Sequence, residues 1–175
     1  MKTNANSKSS TLLPLLIGAA WLLLSGSGFA GNWVQLNAVV KGSHEAHSGS
    51  SSKESHQRWL EVGLSGIGLK QDADVRLEWV FYADDLAEHK LVEQAKGVES
   101  VTLSPGKAAT VKTKEVSFEY ERQHSERQGS GRRARFKLVE GSGQRYHGWA
   151  VKALIGDEVV GEAVSSRDIS SINNP

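Results

Sequence analysis

The chain has 175 residues, with 21 basic and 20 acidic side chains, 38% hydrophobic residues and no cysteine. The near-neutral charge argues against a nucleic-acid-binding protein, because neutralising phosphates takes a concentrated excess of Lys and Arg. The hydrophobic fraction excludes a polytopic membrane protein, and the missing cysteine excludes disulfides, thiol nucleophiles and thiolate metal sites.

Residues 1–30 have the pattern of a secretory signal peptide. Lys2 and Lys8 precede an apolar run over residues 11–24, and the small residues Gly28 and Ala30 follow it. At 1.5 Å per residue this run reaches roughly 21 Å, short of the ~30 Å hydrocarbon core of a bilayer. We therefore predict a cleaved signal and a periplasmic or extracellular protein; the alternative is an uncleaved signal anchor.

Removal of this segment leaves residues 31–175. This mature chain loses Lys2 and Lys8 but no acid, so 19 basic side chains face 20 acidic ones and the net charge is −1. A chain of that length can bury about two-thirds of its unfolded surface, enough for one core without disulfides.

The first three predicted strands alternate apolar and polar residues, as half-buried strands do. They cover residues 33–41, 60–64 and 75–83, the last with a core face of Val75, Leu77, Trp79, Phe81 and Ala83. Between the first two, residues 42–56 are rich in Ser, Gly and His and predict a loop. A change of apolar phase at Gly66 and Gly68 predicts a bulge or bend.

Residues 84–95 leave two structures open. They form either an amphipathic helix capped by Asp84 or Asp85, or an irregular crossover with a short strand at residues 91–93. Residues 98–103 then lead into the turn at Pro105 and Gly106.

The second half of the chain continues the strand pattern. Residues 108–121 predict one long strand with a bulge, residues 123–133 a polar hairpin tip, and Phe136 and Leu138 its partner strand. Residues 146–154 and 159–164 predict a closing hairpin. No periodicity follows, so residues 167–175 predict a flexible tail.

Seven or eight short strands without a βαβ pattern favour an all-β fold. We predict one β-sandwich domain over residues 31–166, with a small closed barrel as the alternative.

The segment from Tyr146 to Ala153 resembles the late strand of immunoglobulin-like and fibronectin-type domains, in which a tyrosine opens a strand of alternating inward residues. With residues 77–84 and 103–106, it also resembles secreted bacterial single-domain proteins of immunoglobulin-like fold, some linked to pilus or cell-surface loci. The resemblance implies a fold and a surface location but no catalytic residues. It also implies that the tyrosine hydroxyl bonds back to the backbone. Gly148 stands where immunoglobulin domains place a cysteine.

Three histidines in the predicted loop, His44, His47 and His56, have neighbouring acids at Glu45 and Glu54. Imidazole is a common metal ligand. Without a rigid element to fix the ligands, however, binding would carry an ordering cost, which favours a solvated loop. Whether this loop binds metal stays open.

An arginine cluster near the predicted hairpin has two interpretations. It could contact phosphate, acidic polysaccharide or an acidic partner through forked hydrogen bonds, or form ordinary cross-strand ion pairs with Glu119, Glu121 and Glu126. Its members are Arg122, Arg127, Arg132, Arg133 and Arg135.

Catalytic motifs are missing. Asp84, Asp85 and Glu88 lack the spacing of a calcium loop and follow a buried strand, where acids commonly cap a turn. No Gly-x-Ser-x-Gly elbow occurs, and the possible bases His89, His124 and His147 lie in different connections. The glycine-rich residues 63–68 lack the lysine and helix of a phosphate loop. We therefore predict no catalytic, cofactor-binding or metal-binding residues and no enzyme.

The tryptophans divide into core and surface candidates. The alternation places Trp79 in the core, and Trp59 and Trp149 in the core or on the sheet surface. Trp33 packs at an edge strand or offers an exposed ring to a sugar or partner.

The leading functional hypothesis is a non-catalytic interaction or structural module that binds another envelope or surface protein. The alternative is a glycan-binding domain, which requires a concave surface with two coplanar exposed rings. Neither hypothesis involves nucleic acid or a membrane span after signal removal.

Overall fold

Alternation of apolar and polar residues produces ten antiparallel β-strands in the described part of the chain. The structure is a computed structural model that describes residues 33–45, 52–130 and 135–173. The predicted signal peptide lies outside these ranges. The elements are β1 Gln35–Glu45, β2 Lys53–Ser65, β3 Ala73–Asp85, β4 Lys90–Leu103, β5 Ala108–Lys112, β6 Val116–Glu121, β7 His124–Gln128, β8 Arg135–Val139, β9 Ser142–Ile155, β10 Glu158–Val164 and α1 Arg167–Asn173.

Two groups of strands form the body of the protein. In the first, β2 pairs with β1 on one side and with both β5 and β6 on the other. In the second, the order is β10, β9, β3 and β4. A short pairing of β6 with β9, through Gly143 and Ser142, joins the two groups. The remaining strands, β7 and β8, form a separate two-stranded sheet.

One apolar core lies between the two groups. The first contributes Leu60, Val62 and Phe118, and the second contributes the inner face of β3. The fully buried Phe81 lies at its centre, with edge-to-face ring contacts to Trp79, Phe118 and Tyr146 at centroid distances of 5.9, 6.0 and 6.2 Å. Such contacts add about 0.5–1.5 kcal/mol beyond burial. The all-β, sandwich-like fold therefore rests on apolar packing.

The predicted core strand at 75–83 is confirmed, because β3 buries all five residues of its predicted inner face. The strands at 33–41 and 60–64 and the closing hairpin are also confirmed, although β1, β2 and β9 extend beyond their predicted bounds. The hairpin turns at Gly156, whose φ of 62° suits glycine.

The predicted loop over residues 42–56 is wrong in its described parts. β1 continues to Glu45, and β2 begins at Lys53, with Gly42 opposite Arg58. A Cβ at Gly42 would lie 2.5 Å from the carbonyl oxygen of Gln57, so glycine permits this close pairing. Residues 46–51 lie outside the described ranges.

Residues 84–95 form neither the predicted helix nor an irregular crossover, because β3 continues to Asp85 and turns directly into β4. The short strand predicted at residues 91–93 is confirmed as part of β4. The Asp85 carboxylate accepts hydrogen bonds from the backbone N–H groups of Ala87 and Glu88, both at 3.0 Å. His89 completes the turn with a φ of 52°, a left-handed conformation that His adopts more readily than most residues. Local capping therefore replaces the predicted helix or crossover.

The strand predicted at 108–121 is broken at Thr113. Its two halves, β5 and β6, lie end to end along β2. At the break, the Thr113 N–H donates to the Leu60 carbonyl, and the Thr113 hydroxyl accepts from the Leu60 N–H at 2.9 Å. A side chain thus replaces a backbone acceptor in the ladder.

The bulge predicted near Gly66 is a turn, since β2 ends at Ser65.

The predicted flexible tail forms a helix over most of its length. Ile169 of α1 is fully buried against Tyr82 and Ala150, on the outer face of the second group of strands. Gly148 faces the same helix, because a Cβ there would clash with Ser165 and Ile169. A seven-residue helix with one anchoring residue has too few apolar positions to show a period.

Among the described residues, no helix has the length and apolar character needed to cross a membrane.

Candidate functional site

The starts of β2 and β9 and the ends of β3 and β6 meet at one end of the body, where two clefts share Tyr120. The acidic cleft, about 470 Å³, is lined by Lys53, Glu54, Glu119 and Glu121 together with Tyr120. The basic cleft, about 530 Å³, is lined by His89, Arg122, Gln123 and Arg145 together with Tyr120. Antiparallel pairing brings these distant segments together because alternate strand ends lie at the same edge.

A hydrogen-bonded group around Glu54 separates the two clefts. The Tyr120 hydroxyl donates to one carboxylate oxygen of Glu54 at 2.5 Å, and Nε of Arg122 lies 2.6 Å from the other. The His56 ring stacks on Tyr120 with a 7° angle between planes. The hydrogen bond from Tyr120, followed by contributions from His56 and Arg122, lowers the pKa of Glu54. The ionised carboxylate therefore holds Tyr120 and Arg122 in place.

A second polar group connects α1 to the sheet through His147. Its Nδ1 lies 2.8 Å from Asp84, and its Nε2 lies 2.6 Å from Asp168. The hydrogen bond to Asp168, supported by Asp84, raises the pKa of His147. The neighbouring Ser166 side chain and the hydrogen bond with His147 lower the pKa of Asp168 to about 2.

This geometry favours a structural role for His147 over a catalytic one. A general base needs a ring nitrogen free to accept a proton from the reacting group. Both nitrogens of His147 face carboxylates, and the raised pKa favours the imidazolium, which has no basic lone pair. The group therefore fixes α1 against β3 and β9.

The structure brings some of the predicted site residues into the same region. Asp84 binds Arg145 and His147, whereas Asp85 caps its turn, as the capping interpretation predicts. Glu88 forms an ion pair with Lys90. These acids do not act as one cluster.

The predicted histidine loop is only partly described. The backbone places His44 opposite His56, and the His56 side chain belongs to the Glu54 group. His47 lies outside the described ranges. His124, in β7, lies near Glu121 and Glu126; its hydrogen bond to the Arg122 carbonyl is the largest contribution that raises its pKa.

The predicted arginine cluster is only partly described. Arg122 pairs with Glu54 rather than with the three acids predicted as its partners. Arg127 lies opposite Phe136, and Arg135 opposite Gln128. Arg132 and Arg133 lie outside the described ranges.

The tryptophans fall into buried and surface positions. Trp79 and Trp149 are buried, and Trp59 is half-buried beneath Lys112, whose Nζ lies 4.5 Å from the ring centroid. Trp33 is 48% exposed and covers Gly68.

None of the described residues forms a layer over the apolar face of the β7–β8 hairpin. Phe136 is 72% exposed and Leu138 58% exposed, and alternation puts both on one face of β8. Their cross-strand neighbours are Arg127 and Ser125. Sequence periodicity predicted β8 but not the exposure of its apolar face. The prediction of a polar tip over residues 123–133 is wrong for residues 124–128, which form β7.

The residues that sequence reasoning missed are Tyr120 and Arg145. Tyr120 continued a core-facing alternation with Val116 and Phe118, and Arg145 preceded the strand assigned to the Tyr146 resemblance. Their positions at strand ends are the signal that could have marked them as surface residues.

Comparisons with known proteins give only distant similarity. The putative ApaA protein from Bordetella pertussis has 9% sequence identity, a TM-score of 0.37, and coverage of 76% of this chain and 94% of its own. A protein from Akkermansia muciniphila has 10% identity, a TM-score of 0.34, and coverage of 81% and 76%. No family model matches the chain, and no curated protein matches it in sequence. Similarity this low supports no inference about function.

Proposed function

We propose that the protein is an exported, non-catalytic interaction module, built on an immunoglobulin-like β-sandwich, that binds another protein of the envelope or cell surface. The signal-peptide pattern of residues 1–30 supports export to the periplasm or beyond. Tyr146 packs against Phe81 and Phe118, and this supports the immunoglobulin-like comparison, since such domains also place a tyrosine of the late strand against the core. The strand itself begins earlier here, at Ser142.

The exposed face of the β7–β8 hairpin is the observation that carries the proposal. Isolated two-stranded hairpins are marginally stable, and an uncovered Phe and Leu on one of them adds apolar surface in contact with water. A partner that covers Phe136 and Leu138 would remove that cost.

The charges on the hairpin indicate the chemistry of the partner. On the apolar face, Arg127 lies opposite Phe136 and Ser125 lies opposite Leu138, whereas Glu126 and Lys137 pair on the other face. The charged residue beside the apolar pair is therefore basic. The complementary surface is a protein recess that accepts one aromatic and one aliphatic side chain and carries carboxylates at its rim.

Comparative capture from envelope extracts tests this proposal. The immobilised wild-type protein should retain one stoichiometric partner, and the double variant F136S/L138S should lose it. The matched control I67S changes another exposed aliphatic residue, 61% exposed and outside the hairpin, and should retain the partner. Equal capture by all three proteins would overturn the assignment, as would binding to anionic lipid vesicles instead of a protein.

The alternative function is glycan binding, favoured by the two polar clefts that meet at Tyr120. Acidic and amide side chains can bind sugar hydroxyls, and an aromatic ring can stack on a sugar face. The two coplanar exposed rings that the hypothesis requires are not found among the described aromatic pairs, since Tyr120 stacks on the half-buried His56. Retention on neutral and acidic polysaccharide columns, lost in Y120A, would favour this alternative.

A further inference from the structure

The basic cleft differs from the acidic cleft in the charge of its lining. Its polar side chains are His89, Tyr120, Arg122, Gln123 and Arg145, and none of the described residues that line it is acidic. Several groups that donate hydrogen bonds thus surround one volume of about 530 Å³. Such a lining favours a ligand that accepts hydrogen bonds and carries negative charge.

The two guanidinium groups are held by acids that do not line the basic cleft. Nε of Arg122 pairs with Glu54 at 2.6 Å, and Nη2 of Arg145 donates to Asp84 at 3.0 Å. Each guanidinium has five N–H donors, so these two contacts leave donors on both side chains for a ligand. Fixing the arginines beforehand lowers the ordering cost of binding.

The third side chain of the cleft, His89, is positioned by its backbone. The turn before it is fixed by the two hydrogen bonds that the Asp85 side chain accepts. A φ of 52° lies in the left-handed region, which non-glycine residues adopt mostly in turns and at functional sites. His89 is therefore presented to the cleft by a capped turn rather than by a mobile segment.

We propose that the basic cleft binds a small oxyanion, a carboxylate or a phosphate group, between Arg122, Arg145 and His89. Arginine matches the two oxygens of either group with a forked pair of N–H donors. The proposal does not depend on the β7–β8 hairpin, which contributes no residue to the cleft lining.

Calorimetric titration of the purified protein at low ionic strength tests the proposal, with inorganic phosphate and glucuronate as the two probes. Saturable binding of one probe identifies that anion class, and binding of both identifies a general oxyanion site. R145Q should weaken binding about tenfold, the loss typical of a hydrogen bond to a charged group. Binding of neither probe would overturn the proposal.

Two further variants separate loss of the ligand contact from loss of the fold. H89G removes the imidazole at a position where the backbone favours glycine, so it should weaken binding several-fold with no loss of thermal stability. The matched control R76Q removes an arginine near the other end of β3, where it pairs with Glu78 at 3.3 Å, and should bind as wild type does. Equal weakening by R76Q and R145Q would show a general charge effect and overturn the site.

The oxyanion site and the interaction module can fail separately. F136S/L138S should bind the oxyanion normally even if it loses its protein partner. R145Q should keep the protein partner even if it loses the oxyanion.

Discussion

Strands β3 and β8 carry the same alternation of apolar and charged residues, but only β3 has layers packed on it. Its inner face is covered by the first group of strands, and its outer face is covered near Tyr82 by α1. β8 pairs with β7 alone, so Phe136 and Leu138 remain exposed. Alternation along a strand therefore shows which of its faces is apolar, but not whether another layer of the protein packs on that face.

The difference separates residues that stabilise the fold from residues available to a partner. Burying a large apolar side chain contributes about 1.5–3 kcal/mol, and β3 gains this at Val75, Leu77, Trp79 and Phe81. Phe136 contributes little of this in the unbound protein. Its apolar area is available on binding, when a partner can cover it.

The largest expected effect contrasts one phenylalanine from each strand. Phe81→Ala should lower the free energy of unfolding by about 3–5 kcal/mol, because it leaves a cavity at the centre of the core. Phe136→Ala should change it by less than about 0.5 kcal/mol, as for most surface substitutions. Urea denaturation of both variants measures the contrast. Similar losses would show that the hairpin packs against the body after all.

A smaller effect on stability is expected at Thr113, which lies at the break between β5 and β6. There it bonds to Leu60 of β2, in the group of strands that covers the inner face of β3. Thr113→Val keeps the side-chain shape but removes the acceptor of the buried Leu60 N–H. An unsatisfied buried donor should cost about 1–3 kcal/mol of unfolding free energy. The control Thr113→Ser keeps the hydroxyl and should lose less. A loss for Thr113→Val no greater than that for Thr113→Ser would mean that the hydroxyl is not needed in the ladder.

The smallest expected effect is a pH-dependent change in the attachment of α1, which packs on the outer face of β3 near Tyr82. The raised pKa of His147 means that its contribution is present below about pH 6.5 and is lost as the pH rises through the raised pKa. The lowered pKa of Asp168 means that its contribution is present above pH 3.8 and is lost as the pH falls towards about 2. Attachment of α1 should therefore be strongest between these limits.

Amide hydrogen exchange can follow this attachment locally. The Ser165 N–H donates to the Trp149 carbonyl at 2.9 Å just before α1, so its protection, corrected for intrinsic exchange, should fall above the pKa of His147. His147→Gln has no titrating ring and should remove that fall while leaving the Phe81 core unchanged. An identical pH profile in wild type and variant would contradict the role of His147.

The sequence predicted most strands because their alternation is local. Val75 to Ala83 and the closing hairpin have a period of two that needs no knowledge of the partner strand. For residues 84–95 the sequence left a helix and a crossover with a strand at residues 91–93 open, because their apolar spacing fits both. The structure has the strand, in β4, after a turn capped by Asp85. The predicted loop failed because backbone pairing, rather than apolar side chains, continues β1 to Glu45.

The candidate sites were less predictable because their residues come from distant segments. Glu54 and Arg122 are far apart in sequence, and only the pairing of β2 with β6 brings them into contact. The same holds for Asp84 and Arg145, which meet through the pairing of β3 with β9.

The sequence by itself determined the all-β class, the inner face of β3 and the absence of disulfides, because composition and a period of two are properties of the chain alone. The tertiary structure decided which apolar faces are covered, where a seven-residue helix attaches through Ile169, and which charges meet around Tyr120. These depend on contacts between residues far apart in sequence, which no local pattern encodes.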